Sequence, residues 1–92
     1  MISKPALDQI LDKIIEELAA IEHKRWAHWQ SYLHSLCSLQ NDGSLVIPSQ
    51  LVERWERQIA TTYKNLSEDE KESDRDQVRE YLKVIKETIL AQ

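Results

Sequence analysis

The first third of the chain carries no helix-breaking residue between Ala6 and Leu36, and this stretch constrains the fold more than any other feature. Its apolar residues recur at steps of three and four from Leu7 onward, which is the spacing of one face of an α-helix. Ser3 is suited to cap such a helix, and Pro5 is accepted in a first turn. A helix of this extent would be about 45 Å long. We therefore predict a long N-terminal helix, part of which projects or packs against another copy of the chain.

The remaining two thirds predict two further helices. Residues 38–44 contain Asn, Asp, Gly and Ser together and indicate a turn, and the short apolar run 45–47 follows it. Pro48 fits the first position of a second helix, and Ser67 is placed to cap a third. Three helices with short connections predict an all-α fold, a small three-helix bundle with a long N-terminal helix, in a single domain spanning residues 1–92.

Composition excludes several classes of function. A net charge of -4 argues against a general nucleic-acid binder. A single cysteine allows neither an internal disulfide nor a cysteine-based zinc site. The three histidines are five and six residues apart, so none forms an i, i+4 metal-ligand pair. We expect no catalytic residues, no metal and no cofactor. No apolar run approaches the length of a membrane span, so we expect a cytoplasmic protein without a membrane partner.

A polar segment opens the third helix. Ser67 and Glu70 have the spacing of a capping box, yet no apolar residue occurs from Glu68 to Gln77. A helix that is polar all round is solvated, ion-paired or lines a polar site. Two interpretations stay open at this point: a solvated or ion-paired helix start, or a site formed by side chains that point back at the protein.

A second unusual stretch interrupts the apolar face of the first helix. Glu22 and Arg25 fall on or beside that face, where charges rarely occur unless they are paired. His23 and Trp26 share a face with polar residues of the following turns, and such a mixed face can bind a ligand. The alternative is that Trp26 is a core aromatic residue and that Glu22 pairs with Arg25 or Arg75.

These two stretches resemble a known family. Glu22-His23-x-x-Trp26, followed by Tyr63-x-x-Leu66-Ser67-Glu68-x-Glu70-Lys71-x-x-Asp74-Arg75, is similar to the ryanodine-receptor repeat domain over roughly residues 15–86. The intervening region differs from the usual repeat, and Thr62 stands where that family commonly has proline. The chain is more similar to short phage and prophage members with a Glu-Arg-Trp-x-Arg-Gln-Ile segment.

The resemblance implies a non-enzymatic module that binds an adenine-nucleotide-derived molecule. By the same resemblance, the chain would be a phage protein that sequesters a nucleotide second messenger of host defence. Aromatic side chains would stack on the base, and Arg and Lys would hold phosphate. The implied ligand-binding residues are His23, Arg25, Trp26, Tyr63, Lys71, Asp74 and Arg75.

The alternative function is a protein-interaction or oligomerisation module in which the polar segment is a structural ion-pair network. Under either function we expect a homo-oligomer, since Leu7 to Leu18 presents more apolar surface than two short helices can cover.

Overall fold

The computed structural model describes all 92 residues, from Met1 to Gln92. It confirms the predicted all-α fold of three helices with a long N-terminal one. The elements in chain order are α1 (Lys4–Leu36), β1 (Ser38–Leu39), β2 (Leu45–Val46), α2 (Ser49–Ala60), a 3-10 turn (Tyr63–Asn65) and α3 (Glu68–Leu90).

Helix α1 is 33 residues long, and its ends follow local chemistry. The Ser3 hydroxyl accepts a hydrogen bond from the Ala6 N–H at 3.3 Å, and Pro5 lies in the first turn, as predicted. The helix ends at Cys37, whose backbone is extended and whose N–H donates to the His34 carbonyl at 3.2 Å.

The turn between α1 and α2 is the loop of a small hairpin. Strands β1 and β2 are antiparallel, and Leu39 pairs with Leu45. Gly43 has a φ of 88°, a backbone conformation that favours glycine, and the Asp42 carboxylate accepts the Ser44 N–H at 2.9 Å. The sequence predicts the turn but not the strands, because two residues are too few to show a period of two.

Helix α2 begins at Ser49, so Pro48 is its N-cap and not its first helical residue. Trp55 packs against Trp29 of α1, with ring centroids 5.8 Å apart and an interplanar angle of 67°. The Gln58 amide donates to Glu70 of α3 at 2.8 Å. These contacts attach α2 to the C-terminal part of α1 and to the start of α3.

Helices α1 and α3 form an antiparallel pair. Leu7 and Ile10, near the start of α1, line one cleft together with Ile89, near the end of α3. Farther along, the Tyr81 hydroxyl of α3 donates a hydrogen bond to the Glu22 carboxylate of α1. We call the part of this pair beyond α2 the arm; it comprises α1 up to Glu22 and α3 from Val78 onward.

The core within one chain is very small. Ile14 is its single buried residue, at 4% exposure. Apolar residues that the sequence predicts as core faces are exposed, among them Ile59 of α2, at 77%, and Leu82 and Ile89 of α3. The prediction that these faces are buried is wrong for a single chain, because α2 reaches only one end of the α1–α3 pair and no third layer covers the rest.

The capping box at the start of α3 generates the first prediction. The Ser67 hydroxyl accepts the Glu70 N–H at 3.2 Å, and the Glu70 carboxylate accepts the Ser67 N–H at 3.3 Å. Ser67→Ala should lower the free energy of unfolding by about 1 kcal/mol in urea titrations. Ser73→Ala, in the exposed second turn of α3, is the matched control and should be neutral or slightly stabilising. Equal effects of the two substitutions would contradict a role for the cap.

Candidate functional site

An open cavity of about 490 Å³ lies where the 3-10 turn meets α3. We call it the Tyr63 cavity. Its α3 residues recur at steps of one helical turn, so a single face of α3 forms one side and Tyr63 forms the other. The lining residues are Tyr63, Asp74, Arg75, Val78, Arg79 and Leu82.

The 3-10 turn and the first turn of α3 position Tyr63 and Lys71. The turn closes with a hydrogen bond from the Leu66 N–H to the Tyr63 carbonyl at 3.1 Å, just before the Ser67 cap. The Lys71 ammonium lies 5.8 Å from the centroid of the Tyr63 ring, within the range of a cation–π interaction. The same ammonium lies 3.7 Å from a Glu68 carboxylate oxygen.

The two arginines of the cavity are already paired with carboxylates. Arg75 contacts Glu72 at 3.1 Å and Glu68 at 3.2 Å, while Arg79 contacts Glu72 at 2.5 Å and Asp76 at 2.6 Å. Hydrogen bonds from Arg79 and then from Arg75 lower the pKa of Glu72, and those to Glu72 and Glu68 raise the pKa of Arg75. These contacts all lie within α3, so they form an ion-pair network along the helix surface.

The segment of α3 that supplies most of the cavity lining is negative overall. Six acidic and three basic residues occur from Glu68 to Arg79. A phosphate entering the cavity would compete with Glu68 and Glu72 for the guanidinium of Arg75. This arrangement disfavours binding of an anion by Coulombic attraction alone.

The predicted ligand residues of α1 form a group of their own. Arg25 donates to the Glu22 carboxylate, through Nε at 3.2 Å and through a second guanidinium nitrogen, and Tyr81 donates to the same carboxylate. The hydrogen bond from Arg25, and then that from Tyr81, lower the pKa of Glu22 to about 2. The His23 and Trp26 rings are stacked, with centroids 5.8 Å apart. Glu22 is therefore paired with Arg25, one of the two partners that the sequence allowed.

The structure divides the seven predicted ligand residues. Tyr63, Asp74 and Arg75 line the cavity, and Lys71 lies against Tyr63. None of the three α1 residues lines it. Sequence reasoning missed Val78, Arg79 and Leu82, although their four-residue steps from Asp74 and Arg75 place them on the same face.

A second cleft, of about 310 Å³, lies between the two helices of the arm. Its walls are mostly apolar: Ile2, Leu7, Ile10, Leu11, Ile14, Ile85, Thr88, Ile89 and Gln92. Helical spacing extends this surface to Ile15 on α1 and to Leu82 and Val78 on α3. We call the resulting apolar surface the arm face; it consists of Leu7, Leu11, Ile15, Val78, Leu82, Ile85 and Ile89.

No group of three or more His, Cys, Asp or Glu side chains is arranged to hold a metal ion. None of the helices combines the length and apolar content needed to cross a membrane.

Comparison of the chain with protein-family models, curated proteins and solved structures found no match. The resemblance to the ryanodine-receptor repeat therefore stays a prediction from the motifs around Trp26 and Arg75.

The depressed pKa of Glu22 generates the second prediction. A carboxylate whose pKa falls on folding stabilises the native state above its unfolded pKa, and this contribution is lost as the pH falls through the folded value. Lowering the pH from about 5 to about 2 should therefore destabilise the wild type more than Glu22→Gln. Tyr81→Phe, which keeps the Arg25 pair, should give an intermediate slope. Melting temperatures across this range measure the effect, and parallel curves for wild type and Glu22→Gln would contradict it.

Proposed function

We propose that this chain is a non-enzymatic oligomerisation module, in which copies associate through apolar helix faces that one chain leaves uncovered. The observation that carries the proposal is the contrast in burial. One residue of 92 is buried, while nineteen large hydrophobic side chains are each at least 39% exposed. Scattered exposed apolar residues are normal, but Leu7, Leu11 and Ile89 of the arm face lie together at one apolar cleft, and a contiguous apolar surface is typical of interaction sites.

The overall shape supports the same proposal. The radius of gyration is 18.5 Å, and the molecule extends 58 Å along its longest axis. A compact chain of this length would have a radius of gyration of about 12 Å. A small domain buries little surface even when it is compact, so an extended small domain needs an additional source of stability. Association with other chains is a common source.

The polar segment of α3 fits a structural role in this module. Arg75 and Arg79 are neutralised by carboxylates of their own helix, and Glu70 connects the cap of α3 to Gln58 of α2. Exposed pairs of this kind contribute little each. Together the ion pairs satisfy a helix surface that has no apolar residue to pack, and the Glu70–Gln58 hydrogen bond links α3 to α2.

The third prediction tests oligomerisation directly. When the native state is assembled, its stability increases with protein concentration. Raising the concentration about 100-fold should raise the melting temperature by several degrees, measured by circular dichroism at both concentrations. A melting temperature that does not depend on concentration, together with a monomer mass by sedimentation equilibrium, would refute the proposed function.

A second candidate function is the binding of a small nucleotide-like ligand at the Tyr63 cavity, including the sequestration of a nucleotide second messenger. The observation that favours it is the proximity of four predicted residues. Tyr63, Lys71, Asp74 and Arg75 lie around one cavity whose volume suits a small ligand.

The fourth prediction belongs to this second candidate. A panel of linear and cyclic adenine nucleotides should raise the melting temperature of the wild type, because a ligand of the native state alone stabilises it. Arg75→Ala and Tyr63→Ala should abolish the increase, whereas Trp26→Ala and His28→Ala, both exposed on α1 and outside the cavity, should retain it. If no nucleotide stabilises the wild type and Arg75→Ala lowers its intrinsic stability, the Arg75 network is structural and this candidate fails.

A further inference from the structure

We propose that the arm face binds the arm face of a second copy, so that α1 of each copy lies against α3 of the other and the two arms form a four-helix bundle. This inference rests on the proposed oligomerisation function and assigns the surface and arrangement by which it occurs. Three observations carry it: the partial coverage of α1 by α2, the amount of exposed surface, and the charges along the edges of the arm face.

Helix α2 covers only one end of the apolar stripe of α1. Steps of three and four residues connect Leu11 and Ile15 to Trp29, and Trp55 of α2 packs on Trp29. At the other end, Leu7, Leu11 and Ile15 are 41%, 45% and 55% exposed, and α2 contributes no residue to the cleft that Leu7 and Leu11 line. The arm is therefore a layer of two helices that lacks the opposing layer which α2 supplies near Trp29.

The exposed surface is large enough for a stable dimer. The accessible surface of the chain is 7722 Å², whereas a compact monomer of this mass would expose about 5,500 Å². The excess of about 2,200 Å² exceeds the roughly 800 Å² that each partner buries in a standard protein–protein interface. Two facing layers of two helices also form the architecture of a four-helix bundle, whose core is filled by side chains of this type.

The charges beside the arm face indicate a second copy as its occupant. On α1, each arm-face residue is followed by an acidic one; the pairs are Leu7–Asp8, Leu11–Asp12 and Ile15–Glu16. On α3, three arm-face residues are each followed by a basic one; the pairs are Val78–Arg79, Leu82–Lys83 and Ile85–Lys86. The same chain thus carries an acidic and a basic edge next to one apolar surface.

Helical geometry places these charges on the outer edges of the arm. Successive residues are about 100° apart around a helix. Ile10 and Ile14 lie on the side of α1 that faces α3, so Asp8 and Asp12 lie on its far side. By the same geometry Lys83 lies on the side of α3 away from α1, because Tyr81 faces α1. Asp8 is paired with Lys4, and Arg79 with carboxylates of its own helix. The edge residues without an ion-pair partner in the chain, and so available to a second layer, are Asp12 and Glu16 on α1 and Lys83 and Lys86 on α3.

The edges select one arrangement of the two copies. If α1 packed on α1 of the second copy, Asp8, Asp12 and Glu16 would face the same acidic residues, which disfavours the contact. If α1 packs on α3 of the second copy, its acidic edge meets the basic edge with Lys83 and Lys86. Twofold symmetry then produces this favourable contact twice.

The apolar part of the inference is tested by the double variant Leu11→Gln with Ile89→Gln. Each substitution removes an apolar side chain that the second copy would bury. The dissociation constant of the dimer, measured by sedimentation equilibrium, should therefore rise about 100-fold or more. The matched control is Leu39→Gln with Leu90→Gln, two residues that are more exposed and lie outside the arm face. The control should retain the wild-type dissociation constant.

The arrangement is tested by the double variant Asp12→Lys with Glu16→Lys, whose exposed side chains allow the chain to fold, as circular dichroism would verify. Contact between α1 and α3 of the other copy predicts about 10-fold weaker association at low salt, a smaller effect at about 1 M salt, and recovery when Lys83→Glu and Lys86→Glu are added. Contact between α1 and α1 predicts no loss of affinity, since the acidic edges already repel each other in the wild type.

These experiments distinguish a failure of the proposed interface from a failure of the proposed arrangement or of the proposed function. An oligomer that the apolar double variant does not weaken overturns the arm face as the interface and leaves the proposed function standing. An oligomer that the apolar variant weakens but the charge variant does not overturns the arrangement of α1 against α3. A wild-type chain that is monomeric, with a melting temperature independent of concentration, overturns both this inference and the proposed function.

Discussion

Two packed helices have only one line of contact, and this limit governs the whole structure. A side chain on that line is enclosed from both sides, as Ile14 is, whereas its neighbours one position away are enclosed from one side only. A third helix would enclose them, but α2 has 12 residues and is attached to the far end of α1. The arm is consequently well formed as secondary structure and incomplete as a hydrophobic core.

Polar contacts between helices specify part of the helix arrangement, which the very small core cannot specify alone. The Glu22 carboxylate receives hydrogen bonds from Arg25 and Tyr81, and this fixes the register of α1 against α3. Glu70 accepts from the Ser67 N–H and from Gln58, and this fixes the start of α3 against α2. The Glu22 contact is exposed and the Gln58 contact is half-buried, so their contribution to stability is modest, and their role is to select one arrangement of the helices. Two segments that look like ligand motifs in the sequence thus also have structural roles.

The sequence predicts the local structure well because its signals are local. The Ser3 and Ser67 caps, the turn around Gly43 and the period of α1 each depend on residues within a few positions of one another. It fails where the outcome depends on which faces meet. An apolar stripe has the same sequence pattern whether a side chain of another helix packs against it, as Trp55 does at Trp29, or it is left mostly exposed, as at Ile89. For the same reason the sequence does not predict whether the motif residues of α1 and those of α3 form one site or two separate sites. That outcome depends on how the helices pack and not on the spacing of residues within each motif.

The positions of the three tryptophans have an optical consequence. Trp29 and Trp55 contact each other where α2 meets α1, Trp26 lies one turn away, and the arm itself contains no tryptophan. Indole emission depends on the polarity and the quenching groups within a few ångströms of the ring. The intrinsic fluorescence of this protein therefore reports on the docking of α2 and on the surroundings of Trp26, and it is nearly blind to events at the tip of the arm near Leu7. Detachment of α2 and separation of the arms would be spectroscopically distinct processes within one small chain.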